Sequence, residues 1–147
     1  MTGLGPSLGV LCGCAQDMLC GSHGFSALFL IQDFKYFWLA LRAEYLAIVD
    51  AGFILQIDDP SLPRLYRTDP SLSMVERRKG AAIYIKALNL ALRGIPAEKV
   101  RYHGCYGINE GPRIFDIGLR DIVDLMLKVN AQAISFEAAN ARHAALA

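Results

Sequence analysis

The residues best suited to chemistry are His103 and Cys105, two positions apart in the segment Val100-Arg-Tyr-His-Gly-Cys105. The segment reads as a strand, and on a strand a spacing of two puts both side chains on one face. An imidazole nitrogen beside a thiolate, with a carboxylate from a neighbouring strand, makes a borderline-soft metal site whose natural occupant is zinc. Zinc keeps a bound substrate thiol deprotonated at neutral pH, and the thiolate is the nucleophile. Two carboxylates fall at comparable places: Asp58 closes the apolar run that begins at Phe53, and Glu137 closes another that begins at Ala131. Spacing alone also fits, and favours, a satisfied core histidine beside an ordinary buried cysteine. Glu137 equally suits the N-terminal dipole of a following helix, and Asp58 equally suits the turn at Asp59-Pro60. His143 lies on a polar tail that suits solvent exposure, and His23 sits in the leader and receives no role.

These residues need elements to position them. From Tyr36 onward, Leu39, Arg42, Ala43, Tyr45, Leu46 and Val49 suit an amphipathic helix that Gly52 stops. A strand over residues 53–58 follows, with the near-continuous hydrophobicity of a parallel strand buried on both faces. Asp59-Pro60 breaks it, and a polar loop runs to about Leu72. Ser73 with Glu76 forms a capping-box pattern. Ala81, Ile85, Leu88 and Leu92 then give a helical stripe that Gly94 and Pro96 end. A strand over 100–105 precedes a Gly- and Pro-containing loop. A third helix carries Leu119, Ile122, Val123 and Met126, and residues 131–137 read as a third strand before an Ala-rich tail. Alternating helices and strands predict an α/β fold with a parallel sheet. Asp58, His103, Cys105 and Glu137 all fall at C-terminal strand ends, the face on which (β/α)8 barrels build their sites. No glycine-rich phosphate loop follows any strand, which weighs against a nucleotide-binding sheet. Residues 1–36 are broken by six glycines and hold no period long enough to name an element, so they read as an irregular leader to a body at 37–147.

The 147 residues fit one domain, and the composition, 54% hydrophobic and 20% charged, allows a sizeable core. A net charge of +1 with mixed signs gives no reason to expect nucleic acid or an anionic membrane as partner. Cys12, Cys14 and Cys20 crowd together while Cys105 stands apart, unlike a disulfide framework. The start lacks the basic region of a signal peptide, and its apolar run is far short of the ~20 residues that span a bilayer. The expected location is cytoplasmic.

Four segments stand out in order: Glu44-Tyr-Leu-Ala-Ile-Val-Asp-Ala-Gly-Phe53, Leu55-Gln-Ile-Asp-Asp-Pro60, His103-Gly-Cys-Tyr-Gly107 with Glu110-Gly-Pro112, and Ser135-Phe-Glu-Ala-Ala-Asn140 with Arg142-His143. In that order they resemble the catalytic C-terminal barrel of cobalamin-independent methionine synthase. Together they span about Leu41 to His143, and their combination outweighs the ordinary reading of His103 and Cys105. The resemblance implies a (β/α)8 TIM barrel, here partial with about three of eight strands. It implies zinc held by His103, Cys105, Glu137 and a more distal Cys, and Asp58 holding the amino group of homocysteine. The implied reaction moves a methyl group from 5-methyltetrahydrofolate to homocysteine. Shorter relatives act on other thiols such as coenzyme M.

The departures from that pattern shape the expectations. The distal Cys and the distal His expected as proton donor have no counterpart up to Ala147, so no catalytic residue is assigned within the chain. Asp59 stands where the family usually has Glu, and the leader does not match an earlier strand. A sheet of three strands would leave edges and apolar helix faces uncovered. A complementing chain or self-association is therefore an expected partner, and an inactive fragment is the alternative to an enzyme.

Overall fold

The computed structural model describes residues 7–11, 27–64, 71–106 and 117–138. Strand β1 (Ser7–Leu11) leads to helix α1 (Ala27–Asp50), then β2 (Ile54–Asp59) and the one-turn helix α2 (Ser61–Arg64). Helix α3 (Met74–Ala91) leads to β3 (Val100–Gly104), and α4 (Val123–Met126) to β4 (Ala133–Phe136). Short 3-10 turns, Ala97–Lys99 and Leu119–Asp121, precede β3 and α4.

Local chemistry sets the ends of the long helices. Gly52 takes φ +88°, a left-handed conformation that a Cβ disfavours. Its N–H donates to Val49 O at 2.9 Å and the Phe53 N–H to Ile48 O at 3.2 Å, the two bonds of a Schellman stop. The expected capping box opens α3: Glu76 N donates to Ser73 Oγ at 3.3 Å, and Ser73 N to Glu76 Oε2 at 2.9 Å. At the other end of α3, Arg42 from α1 donates to the carbonyls of Ala91 and Arg93. A guanidinium there meets the negative end of the helix dipole and ties the two helices together.

The strands form one parallel sheet in the order β1-β2-β3-β4. Each spatial neighbour is thus the next strand in sequence, with no point at which the order reverses, as it does in a doubly wound sheet. The α/β class with a parallel sheet is as expected from the alternation of elements. Side-chain alternation then divides the sheet into two faces. Leu55, Ile57, Val100 and Tyr102 are each no more than 1% exposed and join Tyr45, Ala81, Ile85, Leu88, Leu92, Ile122 and Met126 in a single core. Gln56, Asp58, Arg101 and His103 point to the opposite face and are only half-buried.

Several expectations are corrected. Strand β2 is buried on one face among the described residues, not both, because its apolar run is interrupted by Gln56 and the described helices cover only the Leu55–Ile57 side. The body does not begin at residue 37: α1 starts at Ala27, and Ser7–Leu11 form a fourth strand paired with β2. A five-residue strand with a central glycine carries too little pattern to be read alone, and pairing determines it. Among the described side chains of α1, Tyr45 is buried as expected and Leu46 and Val49 pack against the core, but Leu39 and Ala43 are exposed and Ile48 takes a core place that was not expected. Leu119, Ile122 and Met126 are buried as expected, but on a 3-10 turn and a four-residue helix. No helix among the described residues is long and apolar enough to cross a membrane.

Two predictions follow from the capping and surface charge of α3. Ser73→Ala should lower the unfolding free energy by about 1 kcal/mol in urea titration, because the first turn loses its side-chain acceptor. Arg78 on α3 donates to Asp124 at 2.6 Å, and that hydrogen bond, opposed by slight desolvation and aided by the charges of Arg78 and Lys128, lowers the Asp124 carboxyl below its ordinary value. A lowered folded-state pKa contributes stability above the unfolded value and loses it as pH falls through the folded one. Asp124→Asn should therefore cost less than about 1 kcal/mol at neutral pH, since both partners are exposed. The gap to the parent chain should close in acid.

Candidate metal centre

The two middle strands place the predicted pair. Tyr102 and Gly104 face the core, so the residue between them, His103, faces the other side with Cys105. Gly104 lets β3 lie close to α4: a Cβ there would come within 2.3 Å of Met126 Cε, which belongs to a fully buried side chain. In the sheet register Asp58 is the partner of His103, and His103 the partner of Ser135. One rung across three strands therefore reads Asp58, His103, Ser135, with Cys105 just beyond the end of β3. The Cys105 N–H donates to Asp59 O at 2.9 Å, which extends the ladder one residue past the strand and fixes where the thiol side chain starts.

Asp58, His103 and Cys105 come together: one potential donor atom from each lies within 4.8 Å of the other two. His103 Nε2 is 3.7 Å from Asp58 Oδ1, too long for a hydrogen bond. That spacing suits two donors on one ion, since tetrahedral zinc with bonds of ~2.0–2.3 Å holds its ligand atoms roughly 3.3–3.8 Å apart. Asp58 Oδ1 is itself buried and accepts no hydrogen bond among the described residues. A buried carboxylate oxygen without a donor is costly, and a cation removes that cost. On the other side of the ring, His103 Nδ1 is 2.9 Å from Ser135 Oγ. The donor set, one nitrogen, one sulfur and one carboxylate oxygen, fits zinc. His103 keeps a third of its side chain exposed, so the cluster faces outward from the sheet.

Glu137 does not enter this group. It is half-buried, just past the end of β4, and its carboxylate is not among the clustered donors. Continuing the β3–β4 register by one residue sets it beside Cys105, at the rim. The carboxylate brought to the pair is that of Asp58. Cys12, Cys14, Cys20, His23, Glu110, Pro112, Asn140 and His143 lie outside the described residues.

Asp59 and Tyr102 carry a role that sequence reading missed, having taken Asp59 for the residue that breaks the strand. Asp59 is 1% exposed, and its Oδ2 accepts a 2.6 Å hydrogen bond from the Tyr102 hydroxyl, which is also buried. Burial, and then the Asp59 charge, push the Tyr102 phenol well above its ordinary pKa, so it stays a donor. The signal was strand parity: if Asp58 points out, Asp59 must point in. On the outer face, Arg101 donates to Gln56 Oε1 at 3.2 Å, one rung below the cluster.

Comparison with protein-family models, with curated proteins and with solved structures gives no match.

Tyr102→Phe removes a donor from a buried carboxylate and should cost about 1–3 kcal/mol in chemical unfolding. Loss of less than a few tenths would mean that Asp59 is held by its other contacts alone.

Proposed function

We propose that this chain carries a zinc site of the thiol-activating kind. Its reaction is methyl transfer from 5-methyltetrahydrofolate to homocysteine, giving methionine. The observation that carries the proposal is the pairing of His103 Nε2 with a buried, donor-less Asp58 Oδ1 at 3.7 Å, with Cys105 in the same cluster. The four sequence segments that resemble cobalamin-independent methionine synthase supply the substrate assignment. The sheet supports the same reading: consecutive parallel strands without a switch point, with reactive groups at their C-terminal ends, are what part of a (β/α)8 barrel presents.

Each residue has a distinct part. His103 offers a nitrogen lone pair, Cys105 a thiolate, and Asp58 a carboxylate oxygen. Three protein donors on an outward-facing cluster leave a position for a substrate thiol, as in catalytic rather than structural zinc sites. When bound there, zinc supplies the positive charge that keeps such a thiol deprotonated near neutral pH. Glu137, at the rim, is the carboxylate that the family resemblance places on the metal.

A second reading keeps the chemistry and changes the thiol, to one such as coenzyme M. The position of Asp58 favours it, because a carboxylate among the metal donors is not free to hold an amino group.

Zinc counted per purified chain tests the proposal. About one zinc per chain is expected, lost in His103→Ala and in Cys105→Ser. A folded chain that binds no zinc sinks the reading. Asp58→Ala tests the role of that residue: zinc lost is expected of a metal donor, whereas zinc retained with homocysteine binding lost would move Asp58 to the substrate amine and off the metal.

A further inference from the structure

The imidazole of His103 sits against the hydroxyl of Ser135. Nδ1 lies 2.9 Å from Ser135 Oγ, within hydrogen-bond range, whereas Nε2 lies 3.7 Å from Asp58 Oδ1, outside it. The two residues are register partners on adjacent parallel strands, so the backbone ladder of β3 and β4 holds the contact. Because Nδ1 already has a partner, the ring is oriented with Nε2 toward Asp58.

We propose that Ser135 is a positioning residue, whose hydroxyl fixes the His103 ring so that Nε2 is the metal-binding atom. This rests on the zinc reading above. A hydroxyl suits the task because it both donates and accepts. It donates to a bare Nδ1 when the proton sits on Nε2, and accepts from Nδ1–H when Nε2 gives its lone pair to a cation. The ring keeps the same orientation in both states, with the proton changing nitrogen and the Ser135 O–H turning to match. Metal-bound histidines commonly use their second nitrogen in this way, and loss of the outer partner weakens binding by about 10–100-fold. Ser135 is exposed, so replacing its hydroxyl opens no cavity in the core.

The experiment is nuclear magnetic resonance of the full chain with labelled imidazole nitrogens, first metal-free and then titrated with cadmium as the spin-active stand-in for zinc. In the metal-free chain, Ser135→Ala should move the Nδ1 resonance of His103 more than the Nε2 resonance, and Ser135→Thr should restore it. On loading, cadmium–nitrogen coupling should appear at Nε2, and cadmium should bind Ser135→Ala about 10–100-fold more weakly than the parent or the Thr variant. Coupling at Nδ1 overturns the proposal, as does unchanged affinity in Ser135→Ala. If no cadmium or zinc binds the parent chain, the metal reading fails. The metal-free Nδ1 response then still decides whether Ser135 holds the ring.

Discussion

Asp59 is the residue on which the geometry of the sheet end depends. Its backbone and side chain act in different directions. The carbonyl accepts the Cys105 N–H along the sheet, while the carboxylate turns into the core and accepts from Tyr102. Tyr102 on β3 and Cys105 just past its end flank His103 and Gly104, so one residue of β2 grips the chain both before and after the histidine. A carboxylate this deeply buried is tolerated only because it is hydrogen-bonded. Asp58, next to it, is turned out by the same alternation. The core-side bond therefore decides where the outer-face donors sit, although it touches none of them.

The two faces of the sheet have different physical demands. The core side is closed by Tyr45 and Ile48 of α1, by Ala81, Ile85 and Leu88 of α3 and by Met126 of α4. The other face carries a polar row, Gln56 with Arg101 and then Asp58 with His103 and Ser135, at matched registers. Apolar packing fixes the strands, and the strands fix the polar row. A side chain on that row is then held by its neighbours in the row, as His103 is by Ser135.

Much of this was legible from residue order. The stops at Gly52 and Gly94, the capping box at Ser73 and the stripe on α3 are local features, and local features leave local marks in sequence. His103 and Cys105 share a face because strand periodicity requires it. What was not legible is whatever depends on register between strands. The pairing of His103 with Asp58 on one side and Ser135 on the other follows from how far β2 and β4 slide along β3, which no pattern within a strand encodes. The same holds for Glu137, whose distance from the cluster is set by where pairing ends. Strand β1 escaped for a related reason: Ser7–Leu11 is short, its centre is glycine, and its place in the sheet is conferred by β2.

The consecutive strand order also gives the polar row a history. Successive strands pair across long stretches of chain, Leu55 with Val100 and Arg101 with Ala133, yet a chain leaving the ribosome can still add each strand to the one before it. Asp58 arrives with β2, His103 and Cys105 arrive together with β3, and Ser135 is added by β4. An ion met early in synthesis would find one carboxylate and nothing to share it with. The complete donor set exists once β3 lies beside β2, so an ion captured there reports a pairing already made and is no scaffold for the first steps.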